Sequence, residues 1–194
     1  MTLYVSPCAC SMSCHIAFEE AKLKFEPMIS KWDEVKKFNP QGAVPVLQLD
    51  DGKILTQNLA ILTYAADLSP ASDLLPKVGT FERAETYKWA SFVASDLHPA
   101  FSPLFGEDTP ENERKESVDY IYGLLDIAEA HLTGKTYLAA EHFTIADAYM
   151  FTVYNWTRGL KIPTDKYRNL NAYAGRIAER PAVQAVMKRE GLLK

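Results

Sequence analysis

The 194-residue chain is poor in cysteine, carries no excess of positive charge and has no long apolar run. Its three cysteines, Cys8, Cys10 and Cys14, all fall within the first fourteen residues. An odd, clustered set in a chain of this size excludes a disulfide framework. No stretch approaches the roughly 20 apolar residues that span a bilayer, and a basic region followed by a signal-type apolar core is missing. A cytoplasmic location and no membrane partner are therefore expected. The 21 basic residues are outnumbered by 25 acidic ones, a formal net charge of -4. That balance supplies no broad positive field, so no nucleic-acid partner is expected either. Repeats and low-complexity tracts are also missing. What is there, 47% hydrophobic and 24% charged residues, suits a folded globular chain that takes a small-molecule partner.

Periodicity gives the outline. Thr2 to Val5 alternates like a strand, Pro7 breaks it, and residues 11–21 recur at helical spacing through Cys14, Ala17, Phe18 and Ala21, with Ser11 or Ser13 as cap. Residues 25–30 read as a second strand, which Pro27 demotes to an edge. Residues 46–49 and 53–56 flank Asp50-Asp51-Gly52 and read as a hairpin, followed by a helix over 58–68. The Pro- and Gly-punctuated segment 71–80 reads as a linker between a first domain, 1–70, and a second, 81–194. The second shows only helical runs, over 81–100, 111–132, 145–158 and 166–187. Thr109-Pro110 marks one helix start, and Thr144 with Asp147 three residues later marks another as a reciprocal cap.

Five residues are candidates for chemistry. Cys10 stands where the first strand passes into the first helix, a place where free amides and the helix dipole favour a thiolate; a small buried residue is the alternative. Val44 precedes Pro45 at the entry to the hairpin, a fixed turn that is either trans or, with its backbone offered to a ligand, cis. Gln57 and Asn58 open a helix, where they either cap it or receive a carboxylate. His98 precedes Pro99 in an aromatic helical run and either projects into an interdomain cleft or makes an ordinary hydrogen bond. Cys8 and Cys14 read as structural. Cys8, Cys10, Cys14 and His15 could suggest soft-metal binding, but no second ligand pair follows downstream, so no metal is expected.

Taken in order, these segments resemble the glutathione transferase family, and its bacterial beta class in particular, across nearly the whole chain. Cys8-Ala9-Cys10-Ser11 with Cys14-His15-Ile16-Ala17, Val44-Pro45-Val46-Leu47, Leu55 through Leu62, Ser95 through Phe105 and Phe143-Thr144-Ile145-Ala146-Asp147 carry the resemblance. It implies an α/β thioredoxin-like first domain, with a mixed four-stranded sheet and helices, and an all-α second domain. It further implies a homodimer that takes glutathione as co-substrate together with a small apolar electrophile or a disulfide. Cys10 and His98 would then be catalytic, and Cys10, Val44, Gln57, Asn58 and His98 would bind glutathione. The chain departs from the beta pattern at Gln57 and Asn58, where Glu and Ser are usual, and at Pro99 and Ser91, where Lys and Asn are common. Isomerisation, dehalogenation or peroxide reduction on the same scaffold, and a binding module without turnover, remain as alternatives.

Overall fold

The computed structural model describes residues 1–193, with every side chain among them except that of Trp32. Strands β1 (Thr2–Val5), β2 (Glu26–Ile29), β3 (Val46–Gln48) and β4 (Ile54–Thr56) form one sheet in the order β2-β1-β3-β4. β1 runs parallel to β2 and antiparallel to β3, and β3 pairs antiparallel with β4. β2 lies at an edge, where the missing N–H of Pro27 costs no ladder bond. The β3–β4 hairpin turns at Gly52, whose φ of 85° is open to glycine and costly to other residues. Helices α1 (Ser11–Glu20), the short α2 (Trp32–Val35) and α3 (Asn58–Leu68) complete this half, giving the mixed four-stranded, thioredoxin-like arrangement that the sequence led us to expect.

Between Leu68 and Phe81 the only regular element among the described residues is a 3-10 turn, Pro70–Ser72. Every regular element beyond it among the described residues is helical: α4 (Phe81–Phe92), a π-helical segment (Val93–Leu97), α5 (His98–Ala100), α6 (Ser102–Phe105), α7 (Glu111–His131), α8 (Ile145–Tyr154), α9 (Trp156–Gly159), α10 (Arg168–Ala178) and α11 (Pro181–Arg189). Three expected helices are thus divided. The run over 81–100 passes through the π segment, where the His98 N–H reaches back to the Val93 carbonyl just before Pro99, which has no N–H to give. The run over 145–158 breaks at Asn155, and that over 166–187 breaks before Pro181, because the residue preceding a proline leaves the α region. Thr109 is not the cap of α7; Pro110 takes the cap position, and no side chain bonds there.

Thr144 and Asp147 do form the expected reciprocal cap of α8, and they do more. The buried Asp147 carboxylate accepts from the Thr144 N–H (2.8 Å) and hydroxyl (2.8 Å), the Leu138 N–H (3.0 Å) and the Tyr173 hydroxyl (3.0 Å). Burial pushes its pKa up, and these four donors pull against that shift.

Both halves contribute to one continuous apolar core, in which Leu3, Ile16, Phe18 and Leu62 meet Leu97, Tyr149, Phe151 and Val186. Helix α1 is packed by α3, α8 and α11. Three polar contacts fasten α11 and the residues flanking it to α1. Arg180 engages Glu20 through two bonds (2.6 and 2.9 Å), Arg189 pairs with Glu19, and Glu190 meets His15 Nδ1 at 2.9 Å in an almost sealed site. Among the described residues no helix is long and apolar enough to cross a membrane.

Candidate active site

Cys10 occupies the N-cap position of α1. Neither serine caps the helix. Ser11 Oγ accepts from the Ser6 N–H (3.1 Å), and Ser13 Oγ donates to the Cys10 carbonyl (2.7 Å). The Cys10 thiol points across to the hairpin entrance and donates to the Val44 carbonyl at 3.4 Å. The Val44–Pro45 peptide bond is cis, and the Val44 N–H meets no protein acceptor among the described residues.

The electrostatics of Cys10 differ from the sequence reading. The amides of Cys10 and Ser11 do lower its pKa, but loss of water around the sulfur outweighs them and pushes the thiol up to about 11. At neutral pH Cys10 is therefore a thiol that donates a hydrogen bond, where the helix terminus alone had suggested a thiolate. Desolvation exceeds the dipole here because that dipole is worth only about 0.3–1 kcal/mol at an ordinary helix end.

Gln57 is exposed and has φ 74°, a left-handed value unusual for a residue with a side chain, and it turns the chain abruptly into α3. Among the described residues no side chain caps α3, so its first-turn amides lack a side-chain acceptor, and Gln57, Asn58 and Leu59 line the groove. Asn58, 8% exposed, turns inward. Its Nδ2 donates to Ser13 Oγ (3.0 Å) and the Cys10 carbonyl (3.3 Å), while its Oδ1 accepts from the Cys14 thiol. Asn58 thus ties α3 to the helix that starts at Cys10.

From the helical half, the π segment delivers His98 into the same groove. Its Nδ1 lies 2.8 Å from the Tyr149 hydroxyl, and its ring stands edge-on to Trp156 at 4.8 Å between centroids. Trp156 Nε1 in turn donates to the Cys8 carbonyl at 2.7 Å, pinning the two halves together beside the site. Partial burial holds the His98 pKa below its ordinary value, so the imidazole is neutral at pH 7. Burial moves Tyr149 the opposite way, far above the usual phenol range, and the Asn58 side chain is a hydrogen-bonding neighbour of its hydroxyl.

All five residues singled out in the sequence, Cys10, Val44, Gln57, Asn58 and His98, line a single cavity of about 300 Å³. A second cavity of about 500 Å³ adjoins it and shares Cys10, Val44 and His98. Pro7, Cys8, Val35, Phe105 and Trp156 give it a mainly apolar wall. Tyr149 as the partner of His98 was not read from the sequence. The two lie 51 positions apart and no local spacing joins them. Among the described residues no group of side chains is suited to hold a metal ion.

This arrangement belongs to a known class. The family model for the glutathione S-transferase N-terminal domain matches residues 7–68, and that for the C-terminal domain matches residues 82–181. Glutathione S-transferase GstA of Escherichia coli O157:H7 is 36% identical to the chain over 200 residues, covering 99% of this chain and 100% of that protein. The structure of a sphingomonad glutathione S-transferase complexed with glutathione is similar at a TM-score of 0.95 and 37% identity, with all of both chains covered. The bacterial beta class glutathione S-transferase of Sphingomonas chungbukensis gives the same TM-score, identity and coverage. The chain belongs to the glutathione S-transferase family and is of the bacterial beta-class type.

Proposed function

We propose that the chain is a glutathione transferase in which Cys10, Val44, Gln57, Asn58 and His98 hold glutathione, with Cys10 and His98 as the catalytic pair. The observation that carries the reading is the shared cavity, in which a thiol, an unpaired backbone N–H and an uncapped helix entrance face one another. Each suits one part of the tripeptide. The N–H and C=O of Val44 suit the backbone of the cysteinyl residue, as in an added β-strand. The first-turn amides of α3, with the exposed Gln57 amide, suit the γ-glutamyl carboxylate.

The chemistry follows from the protonation states. Tyr149 stays protonated and donates to His98 Nδ1, which leaves Nε2–H free to donate into the cleft. The Cys10 S–H exchanges its bond to the Val44 carbonyl for one to the glutathione sulfur. Two donors then converge on that sulfur and favour its anionic form as its proton leaves to solvent. The apolar second cavity takes a small apolar electrophile or a disulfide beside it.

Residues 1–70 would form the glutathione domain, 71–80 the linker and 81–194 the helical domain of a cytoplasmic homodimer. Val78 (82% exposed) and Phe81 (75% exposed) are apolar side chains suited to such contact. Calorimetric titration with glutathione tests the site. Gln57→Ala should weaken binding about tenfold, the worth of one charge-assisted hydrogen bond. Absence of heat from the unaltered protein at millimolar glutathione would reject the assignment.

A further inference from the structure

We propose that Cys8 is a second redox thiol, which resolves a glutathionyl disulfide on Cys10 by closing a Cys8–Cys10 disulfide; this rests on the reading of Cys10 given above. Both cysteines are free and both border the larger cavity, whereas Cys14 is fully buried. Cys8 is exposed, and it belongs to no apolar cluster. Its side chain therefore has no packing role to explain it.

The local backbone makes a thiol at this position unexpected. The Ala9 N–H bonds to the Ser6 carbonyl at 3.1 Å, closing a four-residue turn with Pro7 second and Cys8 third. Cys8 has φ 62°. Proline followed by a positive φ defines a type II turn, whose third position favours glycine. A side chain held there costs about 1 kcal/mol relative to glycine. Turn geometry thus argues against cysteine, while the cavity supplies a use for it. One residue separates Cys8 from Cys10, so their Cα atoms lie at most about 7 Å apart, which overlaps the roughly 4.4–6.8 Å that a disulfide spans.

The exchange balances with glutathione disulfide as the oxidant. The Cys10 thiolate attacks glutathione disulfide, forming the Cys10–glutathione bond and releasing one glutathione thiolate. The Cys8 thiolate then attacks Cys10 Sγ, forming the Cys8–Cys10 bond and releasing the second. The protein dithiol loses two electrons, glutathione disulfide gains them, and the two thiol protons pass to the departing glutathione. Both protein thiols are held above their ordinary pKa, Cys8 by partial burial and by the charge of Glu190, with neutral His98 on the same cavity wall. The exchange therefore accelerates toward alkaline pH.

The test uses the reduced full chain, mixed with glutathione disulfide, quenched with acid and weighed intact. The unaltered protein should gain one glutathionyl group transiently and end lighter by two hydrogens. Cys8→Ser and Cys8→Gly should stop at the adduct, which should persist at least about tenfold longer. The glycine variant suits the turn and guards against misfolding. Equal adduct lifetimes in all three proteins would overturn the proposal, as would a two-hydrogen loss that survives in Cys8→Gly. No adduct on any of them would overturn this inference while leaving Cys10 as a hydrogen-bond donor to bound glutathione, which the calorimetric titration tests separately.

Discussion

Replacing Tyr149 with phenylalanine removes one oxygen from the wall of the smaller cavity and leaves the ring in place. The lost contacts are the 2.8 Å bond to His98 Nδ1 and that to the neighbouring Asn58 side chain, of which the first bears on the imidazole. A hydrogen bond of this kind contributes a net of about 1 kcal/mol, and if it serves to fix the imidazole, that energy appears in the barrier. One kcal/mol corresponds to about a fivefold fall in kcat. Both nitrogens then compete for the proton, so Nε2–H is no longer guaranteed to the substrate. KM for glutathione should move little, because Tyr149 acts through His98. The assay is steady-state conjugation of glutathione to a chromogenic apolar electrophile, repeated in a His98→Ala background. His98→Ala alone should cost about a hundredfold, and adding Tyr149→Phe should then cost nothing more. If the fivefold loss recurs in full without His98, Tyr149 acts elsewhere and the proposed orientation of the imidazole is wrong.

Cys10 in a Cys8→Ser protein should react with iodoacetamide along a pH profile whose midpoint lies near 11, because a thiol with a raised pKa stays protonated to higher pH. A midpoint at or below the ordinary value of about 8.5 would instead show that the helix terminus governs the sulfur. In Asp147→Asn the amide can still accept from two of the four donors and turns its own NH₂ toward the others. At about 1–3 kcal/mol for each buried donor left unpaired, the loss is about 2–6 kcal/mol, or a Tm lower by roughly 5–15 °C. Calorimetry that found Tm unchanged would mean that the carboxylate is protonated and already weakly bound.

Local chemistry made much of the fold legible. Gly52 marks the hairpin, Pro27 marks the edge strand, and Thr144 with Asp147 marks the start of α8. Each is set by its own few residues. The divided helices were harder, because Asn155 and the π segment depend on what lies opposite, including the bond between Trp156 and the Cys8 carbonyl. Pro181 was the available signal for the break between α10 and α11, since the residue before a proline rarely stays helical. In the site, the five expected residues meet, but their roles shift on contact. Asn58 spends its side chain on Ser13 and on the Cys10 carbonyl, and burial removes the negative charge expected on Cys10. Neither effect can be read from positions along a chain, because both depend on how much water the folded groove admits.

The fastening of α11 to α1 has a practical corollary. The first seventy residues expressed alone would present the α8- and α11-facing sides of α1 to solvent, with Glu20, Glu19 and His15 stripped of Arg180, Arg189 and Glu190. The Cys10 sulfur and α11 are thus mechanically one part. Shortening the protein by about a dozen residues at its far end should loosen the ground on which Cys10 stands, although no atom of the cavity would have been removed.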